Sequence, residues 1–134
     1  MADVVDISNP KALGELIEKA MQDYVDQVDE ILETCMEEVG KEAVKKLKKT
    51  GPSKTGKYRR AWRVEWKKSR IGVIEGQIFN SKRGQLTHLL EYGHPIVRNG
   101  VVVGNAKAQP HIAPVEQWVN EELPRRFEQK LNSL

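Results

Sequence analysis

An α+β fold is what this sequence predicts: a long N-terminal amphipathic helix, a small antiparallel β-sheet with a hairpin, and a shorter C-terminal helix. Three observations carry that expectation. Apolar residues recur every three or four positions through the first third of the chain. A period of two replaces that spacing after Gly51-Pro52, and the helical spacing returns after Pro110. At 134 residues the chain has the length of a single domain.

Ser8 is suited to cap the first helix, with Pro10 in its first turn, where a missing N–H costs nothing. Leu13, Ile17, Ala20, Tyr24, Val28, Ile31, Cys35 and Val39 then form a stripe that Leu16, Met21, Val25, Leu32 and Met36 widen. The pattern continues through Ala43, Val44 and Leu47 to Gly51-Pro52, giving a helix over 10–50, with 1–9 as a flexible N-terminus. Forty helical residues span about 60 Å, whereas a compact chain of this size is about 36 Å across. The helix must therefore break near Gly40, where glycine costs about 1 kcal/mol relative to alanine, or neighbouring subunits must cover its greasy stripe. The second outcome is favoured.

From Arg60 to Lys67, Trp62, Val64 and Trp66 alternate with Arg63, Glu65 and Lys67, the pattern of a half-buried strand. A turn around Ser69 to Gly72 leads into a second strand, Val73 to Phe79, closed by Asn80-Ser81. Leu86, Leu89 and Leu90 mark a short helical turn with Gly93 as its C-cap. Asn99-Gly100, between Val97-Arg98 and Val101-Val102, is the favoured two-residue hairpin turn. The sheet region is thus 54–108, with a hairpin loop at 94–109. The last helix, 112–131, carries Val115, Trp118, Val119, Leu123, Phe127 and Leu131, and Pro124 predicts a kink or break at Asn120 to Leu123.

Charge is strongly segregated. Residues 1–42 hold 12 acidic and 3 basic side chains, net −9; residues 43–70 hold 12 basic and 1 acidic, net +11. Such polarity speaks to partners rather than to fold. No run of about 18 apolar residues suggests a membrane span, and the acidic start lacks the layout of a secretion signal. The lone Cys35 falls on the apolar stripe, where a core thiol is expected, and suits a reducing cytoplasm.

Three short motifs remain: Thr55-Gly56-Lys57-Tyr58-Arg59-Arg60-Ala61-Trp62, Leu89-Leu90-Glu91-Tyr92-Gly93-His94, and Gln109-Pro110-His111-Ile112-Ala113-Pro114-Val115. In this order after a long helix, they resemble the tail-completion (head–tail joining) proteins of long-tailed bacteriophages, the siphoviruses, over roughly residues 10–131. That family's pattern runs Ser/Thr-Gly-x-Leu, Glu-Phe/Tyr-Gly and Pro-Phe-x-x-Pro-Ala, from which Tyr58, His111 and Val115 depart. Thr55, Gly56, Trp62, Glu91, Tyr92, Gly93, Pro110 and Pro114 match it and are expected to be structural. The resemblance implies a non-enzymatic virion protein at the head–tail junction, assembled in the host cytoplasm. Its implied partners are further copies of itself in a hexameric ring, the head connector's stopper protein and the tail-tube protein, with DNA only passing through the channel. A monomer before assembly is compatible with this.

No catalytic residue, cofactor or metal is expected. His88, Glu91, His94 and His111 have helical metal-ligand spacing in part, but Gly93 should end the helix before His94 and spoil the geometry. Glu91 is read instead as a structural acceptor. The exposed face of the hairpin, Ile96, Val97, Arg98, Asn99, Val101, Val102 and Val103, is a candidate docking surface. Lys45, Lys48, Lys49, Lys57, Arg59 and Arg60 are candidates for pairing with the acidic segment of a neighbouring copy. The alternative is a basic nucleic-acid-binding module, since the same stretch interleaves cations with Tyr58, Trp62 and Trp66.

Overall fold

The computed structural model of the chain describes residues 10–52 and 56–134. The expectations for the 1–9 segment, for the Ser8 cap and for Thr55 lie outside those residues. Helix α1 runs Pro10–Thr50 without interruption and is followed by a single turn, α2, Lys57–Arg60. Strands β1, Trp62–Lys68, and β2, Ile74–Asn80, lead to helix α3, Gly84–Tyr92. Strands β3, His94–Arg98, and β4, Val101–Ala106, precede helix α4, Ile112–Leu131. The architecture is α+β, as the periodicities predict.

The strands divide into two antiparallel pairs, β1–β2 and β3–β4, in place of one sheet. In the first pair Trp62 faces Asn80 and Lys68 faces Ile74. The turn falls where it was expected: Ser69 N–H donates to the Val73 carbonyl at 2.8 Å, and Gly72 has φ 85°. Residues 57–60 are helical, not the start of a strand, because Gly56 at φ 81° turns the chain and its carbonyl accepts the Arg60 N–H. The β3–β4 pair turns on Asn99 and Gly100, both with positive φ, and carries a bulge between Ile96 and Val97.

Of the kink or break expected at Asn120 to Leu123, the break does not occur, even though Pro124 lies inside α4. Nor does α1 break at Gly40, in keeping with the favoured outcome of an unbroken helix. The glycine there serves close approach: an added Cβ would stand 2.8 Å from the Trp66 indole. On the other side of that ring, a Cβ on Gly76 would overlap it outright. Trp66, on β1, thus lies between two bare backbones, which is how the sheet closes onto α1.

Only the second half of α1 enters the core. Cys35, Val39, Ala43 and Leu47 are buried, and Ala43 and Leu47 cluster with Tyr58, Trp62 and Val115. Ile78, Leu86, Leu90, Ile112, Trp118 and Val119 pack around that cluster. α4 also lies directly along α1, so the sheet is not simply sandwiched between the helices. Arg126 pairs with Glu42 and Glu38, and Lys130 donates to Glu38 at 3.0 Å, lacing the two helices together.

Candidate functional site

The three sequence motifs meet in one buried polar knot. Glu91, at the end of α3, is buried and turns its carboxylate to the start of α4, where it accepts the N–H groups of His111, Ile112 and Ala113 at 2.9–3.2 Å. A helix start leaves about four N–H groups without partners. Here three go to one carboxylate, and the next residue, Pro114, has none to offer. Burial alone would raise the pKa of Glu91, but the three N–H donors and the neighbouring His111 outweigh it and hold it below its ordinary value.

His111 joins this pair to the first motif. Its Nδ1 lies 2.8 Å from the Gln109 carbonyl, which can only accept, so Nδ1 carries the proton. Nε2 faces the Tyr58 hydroxyl at 2.7 Å, where it is placed to accept. Burial, reinforced by the Glu91 charge, pushes the Tyr58 pKa up to about 12, so the phenol keeps the proton it donates. Tyr58 and His111 are two of the positions that depart from the family pattern, and here they partner each other. Trp62 packs edge-on against both rings, 5.7 and 6.1 Å between centroids.

Asn80 completes the knot. Buried at the end of β2, it donates to the Tyr58 carbonyl at 2.8 Å and accepts the N–H groups of Arg83 and Lys82 at 2.9 and 3.3 Å. The sequence showed Asn80-Ser81 only as a strand end. An Asn at a strand end, two residues before a lysine N–H it can accept, is the Asx-turn signal that could have marked it. Gly93, at φ 76°, bends the chain out of α3 so tightly that a Cβ would meet the Ala106 carbonyl oxygen at 2.6 Å. Tyr92 is exposed and lies against His88, with the rings tilted by 57° and 4.9 Å between centroids. With Glu91 committed to α4 and His111 to Tyr58 and Gln109, the four residues of the weighed metal motif do not converge. Among the described residues no group of His, Cys, Asp and Glu is placed to hold a metal ion.

Around this knot, the surface offers three patches. The β3–β4 hairpin exposes Val97, Val101, Val102 and Val103, each more than half accessible, with Ile96 and Arg98 beside them. Leu16, Ile17, Met21, Tyr24 and Val25 are exposed along the first half of α1. Ile17, Ala20, Met21, Tyr24 and Val25 line a shallow depression there. Part of α1's acid is already neutralised within the chain, since Glu38, Glu42 and Glu33 face Lys130, Arg126 and Lys68. Among the described residues no ion pair holds Glu18, Asp23, Asp29 or Glu30.

The third patch is basic. Lys45, Lys48 and Lys49 are exposed on the last turns of α1, favourably placed at its C-terminal dipole. Arg59 is committed to the Gly51 carbonyl, which ends α1. Lys46 sits over the Trp118 ring at 4.7 Å. Lys57 and Arg60 meet a second group of cations that the sequence analysis did not associate with them, Lys82 and Arg83, around a hollow beside α2. Tyr58 and Trp62 are buried, so neither ring is free to stack on a base.

No helix among the described residues is long and apolar enough to cross a membrane. A family model described as "HK97-gp10_like: Bacteriophage HK97-gp10, putative tail-component" matches residues 15–93, from α1 to the end of the second motif. No curated protein and no solved structure gives a match.

Proposed function

The chain belongs to the HK97-gp10-like family of bacteriophage tail components, and from that premise we propose that it completes the tail at its head-proximal end and joins it to the head. Copies of the chain form a closed ring, expected to be hexameric. The tail tube lies on one side, the stopper protein of the head connector on the other, and the genome passes through the channel. No bond is made or broken; the work is done by shape and affinity.

One observation carries this reading. The first half of α1 holds a continuous apolar stripe, Leu16, Ile17, Met21, Tyr24 and Val25, exposed beside unpaired acids and off the core. A folded chain that leaves such a stripe in water is suited to a neighbour that covers it. Contacts between unlike patches, one end of a chain against the other end of the next, are the kind that close rings. The acidic start and basic middle of this chain supply unlike patches. The valine face of the hairpin is a second docking surface, suited to the stopper or the tube.

The stacking form of the nucleic-acid alternative loses two of its three rings, because Tyr58 and Trp62 are in the core and only Trp66 is partly exposed. The test of the joining role is electron microscopy of particles produced without this chain. Filled heads and complete tails that remain separate are the expected outcome. Joined particles at normal yield would overturn the proposal.

A further inference from the structure

The hollow beside α2 has a volume of about 490 Å³ and is lined by Lys57, Arg60, Arg63, Lys82 and Arg83 around Ala61 and Ser81. Of the seven described residues that line it, five are cationic and none is acidic. Among the described residues, no carboxylate pairs with Arg60, Arg63, Lys82 or Arg83. The two segments that contribute them are some twenty residues apart and are fastened together by the fold. Ser81 donates its N–H and its hydroxyl to the Ala61 carbonyl at 2.8 and 2.9 Å. Asn80 ties the same loop to Tyr58, while its side-chain oxygen fixes the N–H groups of Lys82 and Arg83. The two segments are therefore held together by these hydrogen bonds, and Arg63 adds its own to the Arg60 and Trp62 carbonyls, while Arg60, Lys82 and Arg83 present their charges around the hollow.

We propose that this hollow binds the phosphodiester backbone of double-stranded DNA. Gathered like charges repel one another and call for a polyanion, and arginine forks match phosphate oxygens. The competing occupant, the acidic half of α1 from another copy, carries a greasy stripe among its carboxylates. That stripe needs an apolar floor, and among the described lining residues only Ala61 is apolar. A phosphodiester backbone brings charge without grease. With no aromatic ring among its described lining residues, the contact is with phosphates alone and independent of base sequence. The inference deepens the joining reading by naming residues that touch the passing genome. Its test uses the isolated full chain, so either can fail while the other stands.

The experiment is fluorescence anisotropy of a short labelled duplex, titrated with the chain between about 50 and 200 mM salt. Lys82→Gln with Arg83→Gln is compared with Lys41→Gln with Lys107→Gln, an equal change of charge elsewhere on the exposed surface. The pair in the hollow is expected to weaken binding about tenfold and to lower the log–log salt slope by about 1.8, or about 0.9 per lost contact. The control pair should change affinity less than about twofold. Equal losses in both pairs, or no binding at about 50 mM salt, would overturn the assignment. So would polyglutamate binding that exceeds duplex binding and is abolished by the pair in the hollow, which would identify an acidic protein as the ligand.

Discussion

Tyr58 and His111 depart from the family pattern at positions where leucine and phenylalanine are usual, and they depart together. A hydroxyl introduced alone into that core would lack an acceptor, and an imidazole alone would lack a donor for Nε2. Their 2.7 Å contact resolves both. Tyr58→Leu or His111→Phe alone is expected to cost about 1–3 kcal/mol, the cost of a buried polar group left unpaired. The double substitution should cost less than the sum by about 1 kcal/mol or more. Chemical denaturation of the four chains measures this, and strict additivity would refute the pairing. Glu91 gives the second prediction at this scale. Its folded pKa lies below the ordinary 4.5, so as pH falls the unfolded chain takes the proton first. The stabilisation is fully present above about pH 4.5 and drains away as pH falls through the folded value. Glu91→Gln should lower stability near neutrality by about 1–3 kcal/mol. It should also flatten the acid limb of a stability–pH profile; an unchanged limb would show that the cap carries none of that dependence.

At the scale of elements, the helices were legible because three- and four-residue spacing survives any tertiary context. The Asn99-Gly100 turn was legible because its chemistry is local. What could not be read were the long-range approaches. Gly40 looks like a weak point from local propensity, yet its place in the fold is set by Trp66, twenty-six positions later, and by Gly76 beyond it. Pro124 likewise promises a break that α4 does not show. The cost of its missing donor is met within a helix held along its length against α1 by Arg126 and Lys130. Gly40→Ala therefore tests packing against propensity. Propensity alone would make it stabilising by about 1 kcal/mol; the crowding against the indole should make it destabilising by about 1–3 kcal/mol. A raised melting temperature would refute the close approach.

For the molecule as a whole, the segregation of charge was plain in the sequence, but its distribution in space was not. The pairing of Glu38 and Glu42 with α4 removes part of the acidic segment from the surface, and Arg59 is withdrawn to the end of α1. The hollow beside α2 draws on Lys82 and Arg83, which lie outside the basic run altogether. Sequence proximity therefore overstated some candidates and missed others. If copies associate through the remaining unlike patches, raising ionic strength from about 50 mM to about 500 mM should weaken association, because the Debye length falls severalfold. Sedimentation velocity would register the change, and association indifferent to salt would point to the greasy stripe acting alone.

The unbroken run of α1 has a geometric consequence. A rod that starts well outside the globular body acts as a spacer, setting how far from that body its grip on a neighbour lies. Excising seven residues from the projecting part would shorten the reach by about 10 Å and swing the gripping face by only about 20°. Excising five would shorten it less, by about 7 Å, yet turn that face by about 140°. Spacing and aim along this rod are thus separable by the length of the cut.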